Sequence, residues 1–264
     1  MKQQIECSAL SDDTKARLKV NFELNLGTTA PSHLGQNTPR RINPTLHFTL
    51  SKLMSYLLHG STAHTGMGWV DQVPRAGKLY IGGLYALYQT DLIRAAGITH
   101  VLSVIDYDPL LQDKFSHLKH FHIRADDHPN ADLLQHFPEA VRYIDQALGD
   151  VEKSKSNQAQ TEAADAGVFV HCAMGKSRSA TLVVAYLMWK YHLGAEAALD
   201  QLCEGRPVCD PNPGFKEQLQ VWDRMCRSQT EKESQSIYDE WEKTRFRGEY
   251  WEWDKRAEQL KALL

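Results

Sequence analysis

With 264 residues, 42% of them hydrophobic and 24% charged, the chain has the make-up of a globular protein, long enough for one sizeable domain with extensions or two small ones. Its formal net charge of -3 offers no general attraction for nucleic acid or an anionic membrane surface, so neither is expected as a partner. No apolar run approaches the roughly 20 residues that cross a bilayer, and the five cysteines, at 7, 172, 203, 209 and 226, are too unevenly spaced for a disulfide framework.

That cysteine usage predicts a reducing compartment, cytoplasm or nucleus. Residues 1–70 carry no convincing strand pattern and, between Glu23 and Asp71, no acidic residue. Although the run "LHFTLSKLMSYLL" is amphipathic, Glu6, Asp12 and Asp13 sit where a transit peptide would be positive, so the segment reads as a poorly ordered extension. From Lys78 the texture changes: "KLYIGGLYAL" predicts a short strand and turn, "TDLIRAAG" a helix ended by Gly97, and "ITHVLSVI" a buried β-branched strand. A further strand, "KHFHIRADD", opens into a polar loop. Leu133, Phe137, Ala140, Val141, Ile144 and Leu148 then recur at helical spacing, while the polar stretch 149–166 reads as a mobile insertion. The strand "VFVH" leads into a helix from about Ser177 to His192, and helices are predicted over 195–204 and 213–228 on either side of "GRPVCDPNPG". A charged tail from 229 to 264 carries aromatics, among them Tyr238, Trp241, Tyr250 and Trp253, at positions suited to docking on the core. Strands alternating with helices predict an α/β domain over 71–228, its central, mostly parallel sheet flanked by helices.

Between strand and helix lies "HCAMGKSRS", in which Cys172 is followed after five residues by Arg178. In that context the backbone N–H groups of Ala173, Met174, Gly175, Lys176, Ser177 and Arg178 can curl around one tetrahedral anion. Gly175 permits the curvature, and the planar Arg178 fork matches two phosphoryl oxygens. The same positive field stabilises a thiolate, which makes Cys172 a candidate nucleophile, and the Ser179 hydroxyl can ease the departure of its sulfur. The leaving oxygen needs a proton, and the loop "RADDHPN" offers Asp126, Asp127 and His128 for that purpose. A metal site is not expected, since no CxxC pair occurs and neither Cys nor His follows Cys226.

"HCAMGKSRS" resembles the signature of the dual-specificity protein phosphatases, and the likeness extends from about Val73 to Cys226 through "LYIGGLYAL", "GITHVLSV" and "RPVCDPNPGFKEQL". The resemblance implies hydrolysis of phosphotyrosine and phosphoserine or phosphothreonine in protein substrates without a cofactor, with Cys172 as nucleophile after His171, Arg178 as phosphate clamp and Ser179 as the hydroxyl serving the sulfur. It further implies Asp127 as general acid and Asn212 as a residue that steadies the phosphate loop. "VPRAGKLYIGGLYAL", "HCAMGKSRSAT" and "RPVCDPNPGF" look most like the fungal YVH-type group, the group of dual-specificity phosphatase twelve, which implies a link to large-subunit ribosome assembly and a pre-ribosomal particle as partner. That group carries a C-terminal zinc module; the expectation here is a catalytic domain without it. Two other readings stay open: a phosphoinositide or small-phosphate phosphatase, suggested by Lys176 but lacking a basic residue at Ala173, and a scaffold that uses the same fold.

Overall fold

A computed structural model describes residues 68–107, 110–156 and 166–262. The expectations for residues 1–67 and for 157–165 fall outside the described residues.

Five strands build one sheet in the order β1-β2-β5-β3-β4. Strand β1 (Val70–Gln72) runs antiparallel to β2 (Leu79–Gly83); β3 (Ile98–Val104), β4 (Lys119–Ile123) and β5 (Gly167–Cys172) join in parallel. The mostly parallel sheet expected from the alternation of elements is therefore present. Strand β1 begins at Val70, the last residue of the extension expected over 1–70; three residues are too short to show alternation, and their pairing comes from β2.

Strand β5 sits between β2 and β3, with Cys172 beside Gly83 and His171 beside Ser103. All six of its residues are buried, as a central parallel strand requires. Its twofold period decides what each face receives. Val168, Val170 and Cys172 point into the larger core cluster, while Phe169 points into the smaller one with Ile98, Val101 and Leu118.

Helices cover both faces. A short 3-10 helix (Leu84–Tyr88) leads to α1 (Thr90–Ala95), and a short α2 (Leu111–Lys114) lies between β3 and β4. On the larger core side pack α3 (Phe137–Ser156), α4 (Arg178–Tyr191), α5 (Ala195–Gly205) and α6 (Pro213–Arg227). Helix α4 is buried from Arg178 to Met188, because it lies between the sheet and its three neighbours; its apolar residues consequently occupy every face rather than one stripe. Trp222 of α6 donates its indole N–H to the Ala185 carbonyl at 3.1 Å and meets Phe137 of α3 edge-on, joining three of these helices.

Helix α3 runs through Ser156, two turns beyond the last apolar position of its stripe, which corrects the start of the mobile insertion expected over 149–166. Glu152 and Lys153 are good helix formers, and hydrophobic periodicity is blind to such residues. Two further helices, α7 (Glu231–Thr244) and α8 (Tyr250–Ala262), form the tail. Trp241 and Trp253 are buried, so the tail docks on the domain as its aromatics suggested.

Candidate active site

The parallel strands deliver their C-terminal ends to one edge, where β5 ends at Cys172 and α4 starts at Arg178. The five residues between them form a loop whose carbonyls all face outward, each to its own donor. Ala173 O accepts from Leu84 N at 3.1 Å, Met174 O from Arg206 Nη2 at 3.0 Å and Gly175 O from Arg206 Nε at 2.8 Å. Lys176 O accepts from Asp210 N at 2.9 Å, and Ser177 O from Thr181 N and Oγ1 at 2.9 and 2.8 Å. Turning a run of carbonyls outward aims their N–H groups inward, which is the geometry of an anion nest at a helix N-terminus. Gly175 has φ +70°, and a Cβ there would stand 2.3 Å from the carbonyl of Gly82, so the loop rests on the backbone of β2 with no room for a side chain.

The Cys172 sulfur accepts from Gly175 N at 3.2 Å and from the Ser179 hydroxyl at 3.3 Å. Burial pushes its thiol up; the hydrogen bonds from the Ser179 hydroxyl and from the N–H groups of Ser179 and Lys176, with the Arg178 charge, outweigh that and hold the pKa below the ordinary thiol value. His171 lies on the opposite face of β5, stacked on Phe169 at 5.5 Å. Its Nδ1 is 3.2 Å from the Cys172 carbonyl, which can only accept, so Nδ1 carries the proton and Nε2 accepts from Ser103 Oγ at 2.8 Å. Burial lowers the His171 pKa to about 4, and the ring is neutral at physiological pH.

Arg178 is buried and held from the far side of the nest: Nη1 donates to Ala125 O at 3.1 Å and to Asp106 Oδ1 at 3.3 Å. Its Nε is 3.8 Å from Asp127 Oδ2 and makes no hydrogen bond among the described residues, leaving a donor for a phosphoryl oxygen. Asp127 reaches the loop itself, where Oδ1 accepts from Ser177 Oγ at 2.6 Å and from Asn212 Nδ2 at 3.0 Å. Asp126 is exposed and accepts from Asp127 N at 2.7 Å. Asn212 caps α6 by accepting from Phe215 N at 2.9 Å, and its own N–H donates to Ser177 Oγ at 3.1 Å. The structure thus brings Cys172, Ser177, Arg178, Ser179, Asp127 and Asn212 together, with His171 behind them. Met174 and Lys176 contribute backbone to the loop and expose their side chains.

Sequence reasoning missed four supports. Arg206 is wholly buried and pairs with Asp71 of β1 while holding the carbonyls of Met174 and Gly175. Asp106 orients Arg178 from the end of β3. Gln218 of α6, also buried, accepts from the N–H groups of Leu133 and Leu134 at 2.9 and 2.8 Å and donates to Ala131 O at 2.8 Å, fixing the loop that carries Asp127. A charged residue inside the proline-rich stretch 205–214 was the one available signal for Arg206; nothing in the sequence marks the others.

Comparison with known proteins agrees with this geometry. The model of the dual specificity phosphatase catalytic domain matches residues 79–225. The tyrosine-protein phosphatase YVH1 of Saccharomyces cerevisiae is 36% identical over 156 residues, covering 56% of this chain and 42% of that protein, so less than half of the yeast protein is spanned. Dual specificity protein phosphatase 13B of Mus musculus is 37% identical over 158 residues, 58% of this chain and 73% of that protein. Among solved structures, the Yvh1 phosphatase domain from Chaetomium thermophilum is 35% identical with a TM-score of 0.51, over 61% of this chain and 99% of that one.

Proposed function

Because the chain belongs to the dual specificity phosphatase family, we propose that it is a protein phosphatase that hydrolyses phosphotyrosine and phosphoserine or phosphothreonine through a phosphocysteine intermediate. The observation that carries this reading is the Cys172 sulfur, surrounded by donors at the floor of a loop whose carbonyls all turn away. The inward N–H groups and Arg178 take the non-bridging phosphoryl oxygens and stabilise the charge they gain in the transition state. The Cys172 thiolate attacks phosphorus, the bond to the leaving oxygen breaks, and Asp127 delivers the proton that oxygen needs. Water then attacks the phosphocysteine and gives its proton to Asp127. The sulfur departs as a thiolate, stabilised by the Ser179 hydroxyl.

Phosphorylated proteins are the substrates this reading assigns. The test is hydrolysis of phosphotyrosyl, phosphoseryl and phosphothreonyl peptides beside soluble phosphoinositides. Peptide turnover that Cys172→Ser abolishes supports it; preference for the phosphoinositides would move the activity to small phosphates, and turnover that survives the substitution would overturn the mechanism.

The sequence likeness to the YVH-type group supports a narrower proposal, work on pre-ribosomal particles in cytoplasm or nucleus. Sedimentation of the tagged chain with ribosomal fractions tests it, and a chain found only in the free pool would argue against it.

A further inference from the structure

The loop that carries Asp127 is held twice. One support is α6, through Gln218 and through the close approach of Gly214, where a Cβ would stand 2.0 Å from the Pro129 carbonyl. The second support comes from the tail, which lies outside the residues matched by the family's catalytic domain. Asn130 commits its whole side chain to it: Oδ1 accepts from Gly248 N at 3.2 Å and from Trp253 Nε1 at 2.8 Å, while Nδ2 donates to Gly248 O at 2.9 Å. Arg245 Nη1 donates to the Asn130 carbonyl at 3.0 Å, and the Tyr238 hydroxyl donates to Asp132 Oδ2 at 2.6 Å. Tyr250 makes the contact nearest the chemistry, with its hydroxyl donating to the carbonyl of Asp127 itself and its ring meeting His128 edge-on at 4.9 Å.

We infer that the segment Tyr238–Trp253 is a built-in brace of the acid loop, with Tyr250 and Asn130 as positioning residues for proton delivery by Asp127. An asparagine whose side-chain donor and acceptor both serve another segment does nothing to shape its own loop; its place is set by that segment. The brace grips the main chain and the neighbours of Asp127 and leaves its carboxylate to Ser177 and Asn212. It therefore acts on where the carboxylate stands and not on the nucleophile, which hangs from β5 and α4. A displacement of about 1 Å can cost on the order of 10² in rate when a reacting group must be aligned, so a remote clamp has leverage on the proton transfers made by Asp127.

This inference rests on the reading of Asp127 as the general acid, and the experiment separates the two. In the full chain, kcat/KM, which reports the steps up to formation of the phosphocysteine and not its hydrolysis, is measured for p-nitrophenyl phosphate, whose leaving group departs as a stable anion, and for phenyl phosphate, whose phenolate needs the proton. Tyr250→Phe should lower the phenyl-to-nitrophenyl ratio by about 3- to 10-fold, the worth of roughly one hydrogen bond, and Asn130→Ala should lower it on the order of 10-fold or more. In an Asp127→Asn background neither substitution should change the ratio further. Circular dichroism and the kcat/KM for p-nitrophenyl phosphate report whether a variant is folded, and Asn130→Asp, which keeps an acceptor for Trp253 and Gly248, should rescue part of the loss. If Asp127→Asn lowers the ratio while the brace variants leave it alone, the brace is overturned and the acid stands. Equal losses on both substrates, or losses that persist without Asp127, would make the contacts merely structural and also overturn it. A ratio unmoved by Asp127→Asn would remove the acid assignment and the brace together.

Discussion

Cys172 and Cys209 are both buried beside the same loop, and their thiols are driven in opposite directions. The Cys209 sulfur lies near an acceptor, the Gly175 carbonyl, and burial pushes its pKa well above the ordinary thiol range. Around Cys172 the neighbours are donors, and its pKa is lowered. Peroxide and iodoacetate should therefore inactivate the enzyme by reaction at Cys172 with Cys209 spared, read by peptide mass after partial inactivation; modification of Cys209 first would contradict the assignment. Ser179→Ala removes a donor to the thiolate, so the inactivation profile should move to higher pH and breakdown of the phosphocysteine should slow. Arg178→Lys should cost on the order of 10² in kcat/KM, because a point charge cannot replace a fork anchored on Ala125 and Asp106. His171 adds a stability term of definite sign. Its folded pKa, about 4, lies below its unfolded value near 6.5, so the unfolded chain binds the extra proton: this contribution is complete above about pH 6.5 and is lost as pH falls towards 4. The full effect is about 3 kcal/mol, and urea midpoints of His171→Gln against the parent between pH 7 and 4 should show a weaker acid dependence in the variant.

Among the elements, the stretch between α5 and α6 supports more than its irregularity suggested. Its prolines end one helix and start the next at Pro213, and this much is readable from the sequence. What could not be read is that Arg206, the first residue after α5, turns inward to Asp71 and carries two loop carbonyls, because the partner is 135 residues away and a strand of three residues leaves no pattern. Arg206→Met should destabilise the fold by about 3 to 5 kcal/mol, since it removes one partner of a buried ion pair. Adding Asp71→Asn should recover part of that loss in urea unfolding without restoring activity, as the carbonyls of Met174 and Gly175 still lack the guanidinium that holds them. A double variant as active as the parent would show that these carbonyls need no external donor. The strand, loop and helix around Cys172 were legible because they are contiguous in sequence. The Asp127–Ser177–Asn212 junction was not, since its members come from three separate segments and family likeness pointed to Asp127 and Asn212 without their meeting at Ser177.

In the molecule as a whole, alternation of apolar strands and amphipathic helices was enough to predict a mostly parallel sheet, and a parallel sheet gathers its functional ends on one edge. Strand order is a different matter: β5, the last strand in sequence, lies between β2 and β3, and no local pattern encodes that insertion. Its consequence for stability is testable. Amides of Val168–Val170 and Leu182–Leu187 are buried in the centre and should exchange with deuterium only through global unfolding, whereas those of α8, most of whose side chains are exposed, should exchange through local opening at lower free energy. Equal protection in α8 and β5 would mean that the tail is an integral part of the cooperative unit.

The five outward carbonyls of the phosphate loop have a calorimetric meaning. Their donors come from β2's end, from Arg206, from Asp210 and from α4, so the loop's shape is settled when the chain folds and not when an anion arrives. Binding of vanadate or tungstate then carries no ordering cost for the loop, and the bound and free forms should share one heat capacity apart from the desolvation of a few polar groups. Titration should accordingly give a ΔCp near zero and an association rate set by diffusion to the loop, with no slower phase of the kind a closing loop would add.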